Sequence, residues 1–255
     1  MSIERYSESR PCFCGKGTIV STWGVGDFPK QGNDGTETMK CSECSEVYEY
    51  RVVGRRSEDH SPKMDWIPRK GLVIHKFVQQ CEWVYSCWRL HRILFDDNPN
   101  ISKLSSSLAT HALVHLSNIT QHFFILEIAK LHDPKEQMGK FNLTIDYILH
   151  LEWDDVNSKK LKSLKNTLDA FETKIRSARN KIISHNDLST QINNITHGTF
   201  ETNEDVKYFE SLRQFVDVIN RLDPDEPFQF CEWPTDNVRA LSEVLVRGVD
   251  ATRKV

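Results

Sequence analysis

The sequence predicts a mainly α-helical protein, an up-and-down helical bundle that follows a small β unit at the N-terminus. From residue 71 onward, apolar residues recur at spacings of three and four, the period of an amphipathic helix. Breaks rich in Asp, Asn and Pro separate about five such segments, as in bundles of antiparallel helices. Residues 11–54 differ, because they carry two cysteine pairs and short β-prone pieces. We therefore predict a four-cysteine domain at 1–56, a linker at 57–70 and a bundle at 71–255.

The composition is that of a globular protein with a very polar surface. The chain has 255 residues, of which 38% are hydrophobic and 27% are charged, with a net charge of −3. This charge argues against a diffuse nucleic-acid-binding coat, so any polyanion site must be local. Residues 1–10 lack the apolar core of a signal peptide, and no apolar run reaches the roughly 18 residues of a membrane span. We expect a cytoplasmic protein that does not enter a membrane.

The two cysteine pairs have the arrangement of a metal site. Cys12 and Cys14 form one pair, Cys41 and Cys44 form the other, and each stands at a turn between β-prone pieces. Four thiolates at such turns are typical of a tetrahedral Zn²⁺ site, and cysteines in a reducing compartment more often bind metal than form disulfides. The unit is too small to be stable through its own core, so a structural Zn²⁺ would supply its folding energy. The first pair has one intervening residue rather than two, and an unmetallated turn or a redox pair are the alternatives.

Two long helices open the predicted bundle. The first runs from Gly71 to about Asp96 and contains Cys81 and Cys87 as buried small residues. The second runs over about 102–132, and its apolar stripe predicts a core face. That stripe is Leu104, Leu108, Ala112, Leu116, Ile119, Phe123 and Leu126. Three histidines lie beside it, namely His111, His115 and His122. We interpret them as a polar seam at a dimer interface or facing a functional cleft, with metal binding as the alternative.

The later segments predict a short helix over about 142–151, a central helix that Ser158 caps, and helices over 206–222 and 237–249. The central helix has the clearest apolar stripe, and the next position in that series is His185. The stripe consists of Leu161, Leu164, Leu168, Phe171, Ile175, Ala178 and Ile182. Between Ser158 and Lys181, eight basic residues stand against two acidic ones, a local charge of +6. This is either a solvated helix face or a phosphate track that leads to Arg179, and we favour the track.

The end of the central helix resembles a known signature. Arg179 and His185, with five residues between them, resemble the Arg-(four to six residues)-His motif of the HEPN superfamily. The segments 128–134 and 142–145 resemble the helix end and following turn of the abortive-infection (AbiU-like) type of HEPN protein. The resemblance covers about residues 100–190 and implies a HEPN-type bundle, here with a zinc-ribbon-like N-terminal extension.

The resemblance also implies a reaction, namely metal-independent RNA cleavage that leaves a 2′,3′-cyclic phosphate. The proteins it points to are toxins or anti-phage effectors. A neutral imidazole can accept the proton of the attacking 2′-OH, an imidazolium can protonate the leaving 5′-oxygen, and a guanidinium can hold the phosphate. We assign His185 as general acid or base and Arg179 as phosphate clamp, with Asn180 orienting the histidine or a phosphate oxygen. Lys174, Arg176 and Lys181 are predicted RNA contacts.

Arg179 and His185 lie six residues apart, which is about 240° around an ideal helix, so one copy of the motif does not place them on one face. Two copies around a two-fold axis would bring both pairs together, and we expect a homodimer with a composite site. Besides RNA, the resemblance implies an antitoxin or trigger partner, either a nucleotidyltransferase-like protein or a phage protein. Such a partner holds many of these proteins silent.

Other interpretations stay open at this point. His185 could cap the helix C-terminus, and Arg179 could pair with Glu172, two turns back. The chain would then be a non-catalytic HEPN module that binds RNA, nucleotide or a protein. A DNA-binding zinc ribbon ranks last, because residues 11–54 contain four basic and six acidic residues.

Overall fold

The computed structural model describes residues 4–25, 36–55, 62–105, 110–180, 199–220 and 227–252. The chain forms two compact units, Met1–Val73 and Ile74–Val255. The first unit holds the longer strands and the second is mainly helical, which confirms the predicted fold class. The exact domain boundaries stay a prediction.

The first unit contains a three-stranded antiparallel sheet in the order β1-β2-β3, a short helix α1 and a two-stranded sheet, β4-β5. Their bounds are β1 Glu4–Pro11, β2 Thr18–Val25, β3 Thr36–Lys40, α1 Ser42–Val47, β4 Tyr48–Arg55 and β5 Pro62–Pro68. The polar residues of β1 do not predict a strand, and β5 lies within the segment predicted as the linker. Both strands form because each pairs along its length with a more apolar neighbour, β1 with β2 and β5 with β4.

The first unit has a small core. Ile19 is fully buried between Cys12 and Cys44, and Met39, Tyr48 and Trp66 pack against this cluster. The indole of Trp66 donates a hydrogen bond to Glu37 Oε2 at 2.8 Å, and Arg10 donates to the same oxygen at 2.9 Å.

The second unit contains the helices that the sequence predicts, together with a short hairpin. The elements in chain order are α2 Lys70–His91, a π-helical turn Arg92–Asp96, α3 Ile101–Ser105, α4 Thr110–Leu131, β6 Glu136–Gln137, β7 Lys140–Phe141, α5 Ile145–His150, α6 Asp155–Ala178, α7 Glu204–Ile219 and α8 Trp233–Thr252. Helix α2 begins within the first unit. None of the helices in the described part of the chain combines the length and the apolar character needed to cross a membrane.

The central helix α6 packs against α4, α5 and α7. Five members of its predicted apolar stripe are buried, namely Leu161, Leu168, Phe171, Ile175 and Ala178. Its N-cap is Asp154 and not Ser158, which corrects the sequence analysis. The Asp154 carboxylate accepts hydrogen bonds from the amides of Val156 (3.1 Å) and Asn157 (2.9 Å), which satisfies two of the free donors at the helix start.

The predicted apolar stripe is a core face at Leu104 and is half-buried at Leu126, but its members from Ala112 to Phe123 are exposed, and Leu108 lies outside the described residues. Leu116, Ile119 and Phe123 are 51%, 62% and 42% exposed, and Ala112 is also exposed. The buried apolar residues of α4 come later in the helix and are Phe124, Ile125, Ile128, Ala129 and Leu131. Periodicity predicts that a helix has an apolar face, but the positions of the neighbouring helices decide which face the chain itself covers. The exposed stripe is therefore available to a partner.

Candidate functional site

The four predicted cysteine ligands meet at one point in the first unit. Cys12 and Cys14 follow the end of β1, while Cys41 and Cys44 lie between β3 and the end of α1. Their Sγ atoms all lie within 4.8 Å of one another, with Cys12 and Cys14 at 3.4 Å and Cys14 and Cys41 at 3.5 Å. In a tetrahedral site with Zn–S bonds of about 2.3 Å, the sulfurs are about 3.8 Å apart. The donor set therefore fits a metal ion such as zinc.

The backbone around the first cysteine pair is shaped for this cluster. The Gly17 amide donates to Cys12 Sγ at 3.1 Å, and the Cys12 amide donates to the Gly17 carbonyl at 2.9 Å. A Cβ atom on Gly17 would stand 2.4 Å from the carbonyl oxygen of Lys40, so no larger residue fits there. Gly15 has φ +75°, a conformation that glycine adopts without strain. These glycines explain why a pair with one intervening residue can still form the site.

The thiols of this cluster have diverging acidities. Burial tends to raise the pKa of Cys12, but hydrogen bonds from Cys14 and the Gly17 amide lower it to about 6. Burial raises the pKa of Cys44 to about 12. Four adjacent thiols do not all ionise at neutral pH without a cation, whereas a bound metal ion stabilises every thiolate. Among the residues that the structure describes, these four cysteines form the only group of side chains that could hold a metal ion. His111, His115 and His122 do not form such a group.

Arg179 is the described residue at the centre of the second candidate site. It follows the last residue of α6, and its side chain is 35% exposed. Its Nη2 donates to Asp133 Oδ1 at 3.0 Å, and its Nη1 donates to Asn180 Oδ1 at 3.0 Å. Arg179 and Asn180 are thus in contact. Arg179 does not pair with Glu172, the alternative that the sequence left open.

Most of the cations near Arg179 have acidic partners. Arg176 pairs with the buried Glu172 through Nε and Nη2, and Lys174 pairs with Glu204. The hydrogen bonds that Arg176 donates to Glu172 raise the pKa of Arg176. The exposed cations of α6 without an ion pair among the described residues are Lys159, Lys160 and Lys162. They lie about 25 Å or more from Arg179 along the helix, so the predicted phosphate track is interrupted.

A buried network that the sequence analysis missed lies next to Arg179. His132 is 3% exposed, its Nδ1 lies 3.0 Å from Asp169 Oδ1, and its Nε2 lies 3.1 Å from the Tyr208 hydroxyl. Burial tends to raise the pKa of Asp169, but hydrogen bonds from His132 and Lys165 hold it below its usual value. The network joins α4, α6 and α7, and so it holds the adjacent Asp133 beside Arg179. The only feature of the sequence that pointed to this network was the position of His132 and Asp133 at a helix end.

His185 and Lys181, which the sequence predicts as catalytic residue and RNA contact, lie outside the described residues. The structure therefore brings together Arg179 and Asn180, and it adds Asp133 to them. It separates Lys174 and Arg176 into ion pairs of their own.

The second unit is a helical bundle, and Arg179 and Asn180 directly follow its central helix. This is the class of protein that the resemblance implies, a HEPN protein. The family model HEPN_AbiU2, described as AbiU2, matches residues 70–244, about two thirds of the chain. The chain belongs to the AbiU2 family, and its helical part is a HEPN-type domain associated with abortive infection. No curated protein and no solved structure matches the chain.

Proposed function

We propose that this protein is a metal-independent endoribonuclease of the HEPN type, acting as a toxin or anti-phage effector. The observation that carries the proposal is the environment of Arg179. Its guanidinium is partly exposed at the end of α6 and is oriented by Asp133 and Asn180. A planar guanidinium held in this way can grip two oxygens of one phosphate. The AbiU2 match over the same helix supports the reaction class.

The reaction needs only side chains of this chain. His185 accepts the proton of the ribose 2′-OH, the 2′-oxygen attacks phosphorus, and the bond from phosphorus to the 5′-oxygen breaks. An imidazolium then donates a proton to the leaving 5′-oxygen, which balances the step and leaves a 2′,3′-cyclic phosphate. Arg179 stabilises the charge on the phosphate oxygens, and Asn180 orients the guanidinium. Two copies of the chain supply the composite site, and an antitoxin or trigger protein controls it.

In this proposal the four-cysteine site holds a structural Zn²⁺ that takes no part in cleavage. Bound to Cys12, Cys14, Cys41 and Cys44, the ion supplies folding energy to the first unit.

Incubation of purified protein with total RNA in excess EDTA tests the proposal. We expect the wild type to cut RNA and to leave 2′,3′-cyclic phosphate ends. We expect His185→Ala to be inactive, because alanine cannot accept the proton of the 2′-OH as the imidazole does. Sequencing that maps the ends of the RNA fragments measures both results. Cleavage that stops in EDTA and returns with Mg²⁺ would contradict metal independence, and cleavage by His185→Ala at the wild-type rate would remove its role.

Asp133→Asn is expected to tighten RNA binding. The amide oxygen of asparagine still accepts from Arg179, so the orientation is kept, but the negative charge that competes with phosphate is gone. We expect the KM for RNA to fall by about threefold or more, with kcat little changed. Steady-state kinetics at fixed salt measure both. A loss of kcat would instead show that the charge of Asp133 is needed to hold Arg179 in place.

A non-catalytic HEPN module is the second candidate, and the ion pairs around the motif favour it. Arg176, Lys174 and Arg179 all contact carboxylates, so the described residues beside the site offer little free positive charge. This candidate predicts that the protein binds RNA, nucleotide or a protein without cleavage, and that His185→Ala changes only affinity.

A further inference from the structure

The exposed apolar stripe of α4 forms one surface with a tryptophan of α2. We call this surface the α4 face and define it as Ala112, Leu116, Ile119, Phe123 and Trp83. Trp83 is 52% exposed and meets Phe123 edge to face, with ring centroids 6.3 Å apart. Single exposed apolar residues are ordinary, but a contiguous row of large ones marks an interaction site.

A cavity of about 360 Å³ opens on the α4 face. Its walls come from α2, α4 and α8 and are mostly apolar, with Trp83, Leu90, Ile119, Phe123 and Val238 among them. On α8, the exposed residues Leu241, Val244 and Leu245 continue from Asn237 on the same side of the helix. Three helices thus contribute to one apolar area with a pocket that a protruding side chain can fill.

Charged residues are missing from this area. The sequence has no Asp, Glu, Lys or Arg between Lys103 and Glu127, although 27% of the chain is charged. On α8, Arg239 and Glu243 lie on the side opposite Leu241, and Arg247 stands at the edge of the apolar row. Depletion of charge together with exposed aromatic residues is typical of the core of a protein interface.

We infer that the α4 face is where two copies of this chain associate. A two-fold interface places a patch against itself, so fixed charges on it would face like charges, and the α4 face has none. A different protein partner is usually selected by complementary charge, which this surface does not offer.

The spacing of the stripe agrees with helix pairing. Ala112, Leu116, Ile119 and Phe123 follow the four-three-four spacing of a heptad seam, the pattern by which like helices pack side by side. The stretch Thr110–Phe123 is about 21 Å long, and Trp83 and the row on α8 widen the apolar area beside it. His111, His115 and His122 lie at its rim, about 90° around α4 from the stripe.

This interface deepens the proposed function and rests on it for the orientation of the two copies. Phe123 lies about 12 Å before Leu131, the last residue of α4, and Asp133 follows two residues later. A two-fold axis that runs alongside α4 places both copies' Asp133 and Arg179 at the same end of the dimer, as a composite site needs. The opposite, antiparallel packing would separate them.

Sedimentation velocity of the full chain, without RNA, tests the inference. We expect a wild-type dimer at twice the chain mass of 29.6 kDa. Ile119→Glu is expected to weaken dimerisation by about 100-fold or more, because it buries two like charges at the seam. Leu116→Glu should do the same. The matched control is Val114→Glu, which changes a residue of similar exposure (53%) about 180° around α4 and should stay dimeric.

Each outcome supports or contradicts the α4 face as the interface between two copies. A wild type that stays monomeric at 100 µM (the highest concentration tested), or a dimer that both seam variants retain, would overturn the inference. So would equal disruption by Val114→Glu. Far-UV circular dichroism checks that each variant keeps its helices. A dimer that depends on Ile119 but never cuts RNA supports this interface and contradicts only the proposed ribonuclease.

Discussion

Replacing Arg179 with alanine is expected to lower the rate of RNA cleavage by about 10²–10³-fold, the usual cost of removing one preorganised donor to a reacting oxyanion. The guanidinium is the only described cation that is both within the HEPN motif and partly exposed at the end of α6. Single-turnover cleavage of a defined RNA measures the effect. Because the interaction strengthens in the transition state, the loss should fall on the rate more than on binding.

Two further variants test whether Arg179 acts through its planar guanidinium or only through its positive charge, and whether the effect is specific to this arginine. Arg179→Lys keeps one positive charge but loses the planar fork, so an intermediate rate is expected. Arg247→Ala removes an arginine that is 80% exposed on α8 and should leave cleavage within about twofold of the wild type. An alanine variant of Arg179 that cuts as fast as the wild type would exclude the residue as the phosphate clamp.

Loss of the metal is expected to unfold the first unit and to spare the second. Cys44→Ser removes a buried ligand from a cluster in which Ile19 is the only fully buried apolar residue, apart from the cysteines, in the described part of the first unit. We expect the variant to lose its zinc and residues 1–73 to become protease-sensitive, while the helical unit, which has its own core, keeps its melting temperature. Zinc analysis and limited proteolysis read the two effects.

Cys231→Ser is the matched control for this experiment. Cys231 is an exposed free cysteine outside the cluster, so its replacement should leave one zinc ion per chain and the wild-type protease pattern. A Cys44→Ser chain that keeps both its zinc and its protease resistance would refute the four-cysteine site.

The parts of the fold that were predicted correctly depend on local pattern. The helices of the second unit follow from apolar spacing, and the stripe of α6 is buried as its period indicates. The four cysteines follow from the chemistry of thiolate ligands, and their sulfurs do meet. The strands β1 and β5 escaped prediction because their own residues are polar or proline-bounded, and only pairing with β2 and β4 makes them strands.

The sequence by itself determined the class of fold, the cysteine ligand set and the position of Arg179 at the end of the central helix. Those features depend on neighbours within a few residues. Only the tertiary structure decided that Asp133, 46 positions away, binds Arg179, that Arg176 pairs with Glu172, and that the apolar stripe of α4 faces outward. Contacts between distant segments depend on how the helices pack, and a periodic pattern specifies a helix face without specifying what covers it.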